Sequence, residues 1–315
     1  MKRQVLFPDV KPGVQFFWLV AFILFFMLVF SALGLVAGTF LYGRDLSSLA
    51  EAVVRPATAS DRSFILFFQF LNQLGFLFFP VLLFVLLFTS RDVSYLKMNR
   101  ISLGLVLLAG VSVYSILPVI NWLGDLNQQM TFPSWLAGMG DWMRARETQA
   151  DRITAFLLQV KSPQGLLANL VIIALIPAVG EELLFRGLVQ RLLNAWTRSI
   201  PVGVLLTAIL FSAIHFQFFG FLPRFFLGLM LGILLEITQS LWAPVFAHFV
   251  NNATLVILYY LHSRGTLSID PEQFGSSSHV YILFLSLAVT AYIFYRIKTL
   301  REKKILSHSS HFPEI

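Results

Sequence analysis

The stretch Val179-Gly180-Glu181-Glu182-Leu183-Leu184-Phe185-Arg186-Gly187 closes an apolar run that begins at Leu166. Two adjacent carboxylates and an arginine therefore follow a segment that a lipid bilayer would accommodate. An ionisable side chain at the centre of a membrane helix costs at least ~2.5 kcal/mol, so such a residue usually has a function or a partner. The stretch therefore predicts a membrane helix that carries a functional site.

The composition is that of a polytopic membrane protein. Of 315 residues, 57% are hydrophobic and 12% are charged, whereas a soluble domain carries about 25% charged residues. The net charge of +7 indicates cytoplasmic loops rich in Lys and Arg, and there is no soluble basic domain of the kind that binds nucleic acid. The chain has no cysteine, which excludes disulfides, thiolate metal sites and a cysteine nucleophile.

Apolar segments alternate with polar ones and predict an all-α fold with about eight transmembrane helices, of which helices 4 to 7 carry the candidate site. The predicted spans are 14–42, 63–89, 101–123, 165–187, 201–219, 223–237, 242–262 and 280–297. Residues 188–198 are expected to lie flat in the interface. The longest polar stretch, 124–164, is expected to hold an amphipathic helix that is either a plain surface lid or a substrate gate.

Three parts follow from this order: 1–162 with three membrane helices and the amphipathic loop, 163–262 with the candidate site, and 263–315 with the last helix and a basic tail. Eight crossings put both termini on one side. The basic head, residues 90–100 and the tail all fall on that side, so the positive-inside rule predicts cytoplasmic termini. We expect a multi-pass protein of a bacterial inner (plasma) membrane.

The two glutamates are expected to have different roles. Neighbours on a helix point about 100° apart, so Glu181 and Glu182 cannot share one direction. Arg186 follows Glu182 by four residues, which is the spacing of an ion pair on one helix face. We therefore assign Glu182 and Arg186 to a structural pair and leave Glu181 as the free carboxylate. The alternative is that both acids only mark the cytoplasmic end of the span.

Two later segments each bring a histidine into an apolar setting. A lone histidine such as His215 is more often a hydrogen-bonded packing residue than a catalytic one. His248 and Asn252 lie four residues apart and share a helix face. A carboxylate such as Glu181, helped by a histidine, can deprotonate water, while a second histidine and an amide can stabilise an oxyanion. The set predicts peptide hydrolysis without a covalent intermediate.

The same groups could instead bind a metal ion. Two histidines and one glutamate form a known zinc ligand set, so Glu181, His215 and His248 would be the ligands if a divalent metal such as zinc binds. The helical His-Glu-x-x-His motif is absent, which favours the reaction without a metal.

Depth along the helices predicts the direction of access. Glu181 and His248 fall toward the cytoplasmic side, whereas His215 lies about 10 Å too far along its span. We therefore expect a cavity that opens to the cytoplasm. Residues 124–164 would lie on the opposite side and could not cover it.

The motifs Glu-Glu-x-x-x-Arg at 181–186, Phe-x-x-x-His at 211–215 and His-x-x-x-Asn at 248–252 resemble those of the CAAX protease and bacteriocin-processing family of intramembrane proteases. This family includes the type II CAAX prenyl endopeptidases, and the similarity covers roughly residues 163–262. It implies that Glu181 activates water with His215, that His248 and Asn252 form the oxyanion site, and that Glu182 and Arg186 complete the first motif.

The resemblance leaves the substrate and the metal open. The family is often described as metal-dependent, while its structurally described member looks like a glutamate protease. The implied partners are the bilayer and a peptide or membrane-protein substrate, with or without a lipid. Two competing functions are a transporter in which Glu181, Glu182 and Arg224 line a polar path, and a non-catalytic membrane adaptor or immunity protein of the same fold.

Overall fold

The computed structural model describes residues 6–7, 9–89, 93–277 and 279–309. Within these residues the secondary structure is helical throughout and no strand occurs, so the predicted all-α fold is confirmed. Much of the basic head, residues 90–92 and the end of the basic tail lie outside the described residues.

The helices follow the apolar segments in order. They are α1 (Pro12–Tyr42), α2 (Leu46–Val54), α3 (Ala59–Phe88), α4 (Leu103–Gln128), α5 (Ala137–Leu158), α6 (Pro163–Thr197), α7 (Ile200–Ala213), α8 (Phe221–Thr238), α9 (Trp242–Ser263) and α10 (Val280–Ser309). Among the described residues, seven helices are long and apolar enough to cross a membrane: α1, α3, α4, α6, α8, α9 and α10. The fifth predicted span is the shorter helix α7, with 14 residues.

Helix α6 is longer than the sequence predicted. It runs for 35 residues to Thr197, and the expectation that residues 188–198 lie flat in the interface is wrong. These residues have partners inside the bundle: Gln190 is fully buried, and its Nε2 donates to the carbonyl of Gly232 in α8 at 3.2 Å. Two wider π-helical turns, Leu170–Leu175 and Leu183–Val189, interrupt α6. They stand before and after the two glutamates, and π-helical turns of this kind are frequent at functional sites.

The helix ends define two faces of the bundle. Helix α1 begins near the end of α6, where Phe16 packs against Trp196 with ring centroids 6.0 Å apart. Helix α10 passes the end of α8 on the same face, since Arg301 donates to the carbonyl of Ile237 at 3.0 Å. We call this the terminal face. Helix α5 lies on the opposite face, which we call the α5 face, where Arg62 near the start of α3 donates to the carbonyl of Leu157 at 2.8 Å.

Small residues let the helices approach α6 and each other closely. A Cβ added to Gly180 in α6 would lie 2.8 Å from Leu77 in α3. A Cβ added to Gly228 in α8 would lie 3.2 Å from the backbone of Ala208 in α7. Close contacts of this kind are a common way to pack membrane helices. Here they fix the axial position of each helix relative to its neighbours.

Candidate active site

The four residues predicted to form the site line a single cavity. Glu181 of α6, His215 just after α7, and His248 and Asn252 of α9 surround a space of about 300 Å³. Further polar side chains line the same space: Gln69, Gln73, Thr154, Arg224 and Asn251. The bundle therefore brings together four predicted residues that span 71 positions of the sequence, from Glu181 to Asn252.

Glu182 is the most constrained acid of the site. Its Oε1 accepts a hydrogen bond from Nη1 of Arg186 at 2.9 Å, with both side chains fully buried. The same oxygen accepts a second hydrogen bond from Nδ1 of His248, also at 2.9 Å. Arg186 also donates to the carbonyl of Gly228 at 3.1 Å. The predicted pair of Glu182 and Arg186 is present, and the contact with His248 joins α6 to α9.

Glu181 is placed differently from its neighbour. Oε2 is buried without a hydrogen-bond partner in both glutamates, but Glu181, unlike Glu182, accepts no hydrogen bond at Oε1 either within the described residues. The basic nitrogen nearest to Oε2 of Glu181 is Nε2 of His248, at 3.8 Å, which exceeds hydrogen-bond distance. A buried carboxylate oxygen without a partner is costly, and a water or substrate group in the cavity would satisfy it.

His215 stands at the end of α7, where the chain turns. Its Nδ1 lies 2.7 Å from the carbonyl oxygen of Phe211, so Nδ1 carries the proton and donates, because a carbonyl can only accept. In the neutral ring, Nε2 then has a free lone pair. The next residue, Phe216, has φ of 52°, a left-handed conformation that is uncommon for a bulky residue. This turn follows the end of α7 at Ala213 and leaves the ring of His215 beside the cavity.

The two histidines flank one phenylalanine. The ring centroid of Phe211 lies 5.2 Å from that of His215 and 5.9 Å from that of His248. Cζ of Arg186 lies 4.5 Å from the same ring centroid, within the range of a cation–π contact. Phe211 is 2% exposed, so it acts as a rigid spacer between the histidines.

Asn252 has a neighbour that orients its amide. Nδ2 of Asn251 donates to Oδ1 of Asn252 at 3.1 Å. Within the described residues the amide nitrogen of Asn252 has no protein acceptor, so its N–H groups are available to a ligand oxygen. Asn251 lines the cavity as well, although the sequence analysis assigned it no role.

The depth predicted for His215 is corrected by the true length of α6. Because α6 continues to Thr197, Glu181 lies ~24 Å from that end of the helix. His215 lies ~22 Å from the start of α7 at Ile200, and α7 begins beside the end of α6 on the terminal face. The two residues are therefore at similar depth. The predicted depth difference of about 10 Å between His215 and Glu181 comes from a predicted span that ends at residue 187, ten residues before the true end of α6 at Thr197.

The direction of the cavity is also corrected. Thr154 and Leu158 of α5 line it, so the expectation that residues 124–164 lie on the opposite side and cannot cover the site is wrong. Arg224, which also lines it, lies in the first turn of α8, the end of that helix nearest α5. The cavity thus extends from Glu181 toward the α5 face, away from the terminal face.

Helix α5 holds the turn that carries His215. Oε2 of Glu147 accepts a hydrogen bond from the backbone N–H of Phe219 at 2.8 Å. Oδ1 of Asp151 accepts one from Nε2 of Gln217 at 3.1 Å. Desolvation, with repulsion from Glu147 and Glu272, raises the pKa of Asp151 above its ordinary value of 3.8. Helix α5 therefore covers one side of the cavity and supports the residues after His215.

Two of the polar side chains in the cavity that the sequence did not predict, Gln73 and Arg224, are held in place by hydrogen bonds. Gln73 of α3 donates to the carbonyl of Ile172 at 3.0 Å, while its own carbonyl oxygen is buried without a partner within the described residues. Arg224 was considered only for a transport path. A usable signal was present, since Arg224 is a lone charge in the apolar run 218–235.

The possible metal ligands do not form a ligand set. Among the described residues, no group of three or more His, Cys, Asp or Glu side chains could hold a metal ion. The arrangement of Glu181, His215 and His248 therefore does not fit a metal, and no step below passes through one.

Comparison with known proteins supports the resemblance seen in the motifs. Residues 163–254 match the family model described as "Type II CAAX prenyl endopeptidase Rce1-like". This segment is similar to the Rce1-like endopeptidases. It contains both glutamates, both histidines and Asn252, so the resemblance predicted from the sequence is confirmed over the part of the chain that carries the site.

A curated relative matches as well. The uncharacterized protein YpbD of Bacillus subtilis (strain 168) is 30% identical over 89 residues, which are 27% of this chain and 42% of the relative. The alignment thus spans less than half the length of that relative. No solved structure matches the chain.

Proposed function

We propose that this protein is an intramembrane endopeptidase and that residues 163–262 form its catalytic core. The observation that carries the proposal is the state of Glu181: a buried carboxylate oxygen without a partner lies in the same cavity as a histidine whose Nδ1 is already engaged. Peptide hydrolysis needs a base that takes a proton from water. The Glu181 carboxylate can be that base, and Nε2 of His215 can help to hold the water.

In the proposed reaction, Glu181 and Nε2 of His215 hold a water in the cavity. Glu181 takes one proton from this water as its oxygen attacks the carbonyl carbon of the peptide bond. The C–N bond then breaks, and the proton passes from Glu181 to the leaving amine. General base catalysis of this kind contributes about 10²–10⁴-fold to the rate.

His248 and Asn252 would stabilise the oxyanion of the tetrahedral intermediate. Since Nδ1 of His248 donates to Glu182, Nε2 can donate only when the ring carries both protons. The free N–H of Asn252 supplies the second donor, and removal of one such donor costs about 10²–10³-fold in other hydrolases.

The substrate in this proposal is a peptide segment that enters the cavity in extended form, because a helical segment has its carbonyls already hydrogen-bonded. The match to Rce1-like endopeptidases supports CAAX-type processing, and a bacteriocin-related substrate is the alternative within the same chemistry. We place the protein in a bacterial plasma membrane, with both termini in the cytoplasm.

Cleavage by purified protein tests the proposal. The protein in lipid nanodiscs is incubated with a mixture of membrane-derived peptides, and new termini are identified by mass spectrometry. We expect cleavage by the wild type, none by Glu181→Gln, and the same thermal unfolding for both. If the wild type cuts nothing, the result favours a non-catalytic membrane adaptor. An ion or solute flux into liposomes that Glu181→Gln abolishes would instead identify a transporter.

A further inference from the structure

Arg224 brings a positive charge to the cavity without a carboxylate partner. Its Nη1 donates to the backbone carbonyl of Gln217 at 3.4 Å, and its Nη2 donates to the side-chain Oε1 of the same residue. Both acceptors are neutral. Within the described residues, no carboxylate oxygen lies within 4.0 Å of the guanidinium.

The position of this side chain is built into the turn before α8. A Cβ added to Gly220 would lie 3.0 Å from Cζ of Arg224, so the absence of a side chain at Gly220 leaves the space that the guanidinium occupies. Gln217, which accepts from Arg224, is itself held by Asp151 of α5. The guanidinium is therefore fixed beside the cavity by two separate elements.

The nearby acids are engaged elsewhere. Glu147 accepts from the backbone N–H of Phe219, Asp151 accepts from Gln217, and the basic nitrogen nearest to Glu181 belongs to His248. An arginine has five N–H donors, and Arg224 donates two of them to Gln217. The remaining donors form part of a planar fork, which matches a carboxylate better than any neutral group.

We infer that Arg224 binds a carboxylate of the substrate peptide, either its C-terminus or an acidic side chain. The inference rests on the proposed function, since Arg224 and Glu181 share one cavity. At about 300 Å³ this cavity is at the lower end of the range for ligand sites. The carboxylate that Arg224 binds therefore lies within a few residues of the bond that is cut, and Arg224 sets which bond is presented to Glu181.

Binding of matched peptides tests the assignment without requiring cleavage. The probes are a fluorescent hexapeptide of Ala and Leu with a free C-terminal carboxylate, the same peptide as its C-terminal amide, and two further amides with one internal Asp or Asn. Fluorescence anisotropy with protein in nanodiscs gives each Kd. We expect the free acid, or the amide with Asp, to bind the wild type about 10-fold more tightly than its neutral counterpart, by the usual strength of a charge-assisted hydrogen bond.

The variants separate Arg224 from a general effect of charge. Arg224→Gln should remove the preference for a carboxylate, and Arg224→Lys should keep part of it, since the charge remains and the fork is lost. Gly220→Ala should weaken the preference because it displaces the guanidinium without changing the charge. The control is Arg264→Gln, an exposed arginine at the end of α9 outside the cavity, which should leave the preference unchanged.

Equal binding of the acid and amide peptides to the wild type would overturn the inference, as would a preference that persists in Arg224→Gln. Unfolding measurements accompany each variant; if Arg224→Gln does not fold, Arg224→Lys and Gly220→Ala decide. Where the wild type cleaves peptides, the same series is assayed for kcat and KM. Cleavage without a preference for a carboxylate refutes only this inference, whereas a binding preference without any cleavage refutes only the proposed function.

Discussion

Nδ1 of His248 donates a hydrogen bond of 2.9 Å to Oε1 of Glu182, across 66 positions of sequence. The same oxygen accepts from Arg186, so one carboxylate fixes a cation on its own helix and an imidazole on another. The neighbouring Glu181 accepts no hydrogen bond at either oxygen within the described residues, whereas only Oε2 of Glu182 is without one. The tandem glutamates therefore differ in their contacts, although they are adjacent in the chain and identical in chemistry.

Glu182→Gln should lower both stability and activity. The substitution leaves Arg186 buried without its counter-ion, and breaking a buried ion pair costs about 3–5 kcal/mol. Thermal unfolding of the variant in detergent, compared with wild type, measures the loss. Glu181→Gln is the matched control and should unfold near the wild-type Tm, since Oε2 of Glu181 has no bond to lose. Full stability of Glu182→Gln with activity abolished would instead make Glu182 the catalytic acid.

His215→Gln should abolish cleavage and keep the fold. The amide can still donate to the carbonyl of Phe211, so the cost in stability should stay near 1 kcal/mol, but it has no ring nitrogen in place of Nε2 to hold the water for Glu181. We expect kcat to fall by about 10²–10⁴-fold, measured with any peptide that the wild type cuts. Retention of more than a tenth of the wild-type rate would show that His215 only packs against Phe211.

Cysteine labelling should place the cavity opening and the termini on opposite sides of the membrane. The chain has no cysteine, so Thr154→Cys reports the exposed cavity rim on α5 and Arg100→Cys reports an exposed residue near the terminal face. By the positive-inside rule, an impermeant thiol reagent should reach Arg100→Cys from the cytoplasm and Thr154→Cys from the other side.

Other labelling results have distinct meanings. If the two cysteines exchange sides, the cavity opens to the cytoplasm and the termini do not lie there. Labelling of both from one side would contradict the helix arrangement itself. Ala178 and Ala247 are unsuitable for this experiment because both are fully buried.

Asp151→Asn should raise the Tm at neutral pH. Desolvation and the nearby Glu147 and Glu272 raise the pKa of Asp151 in the folded protein, so the ionised carboxylate opposes folding above that pKa. The native state binds more protons than the unfolded state between the two pKa values, and stability therefore falls as pH rises through this window. The advantage of the variant should shrink as pH falls and vanish below the ordinary value of 3.8. An advantage that is independent of pH would contradict this cause.

Local spacing was enough to predict the helices and one contact. The apolar runs predicted where seven long helices lie, because about 20 apolar residues are needed to cross a bilayer. The four-residue spacing predicted the pair of Glu182 and Arg186, because residues one turn apart share a helix face. Both results depend on the geometry of a single helix, which the sequence determines by itself.

The contacts between helices depended on the tertiary structure. The axial position of each helix relative to its neighbours is set by close packing at residues such as Gly180 and Gly228. Hydropathy does not predict this position. These axial positions place His215 at the depth of Glu181, pair His248 with Glu182 and add Arg224 to the cavity. They also turn the cavity toward α5. The sequence determined which side chains needed partners in a membrane, and only the packing of the bundle decided which partners they found.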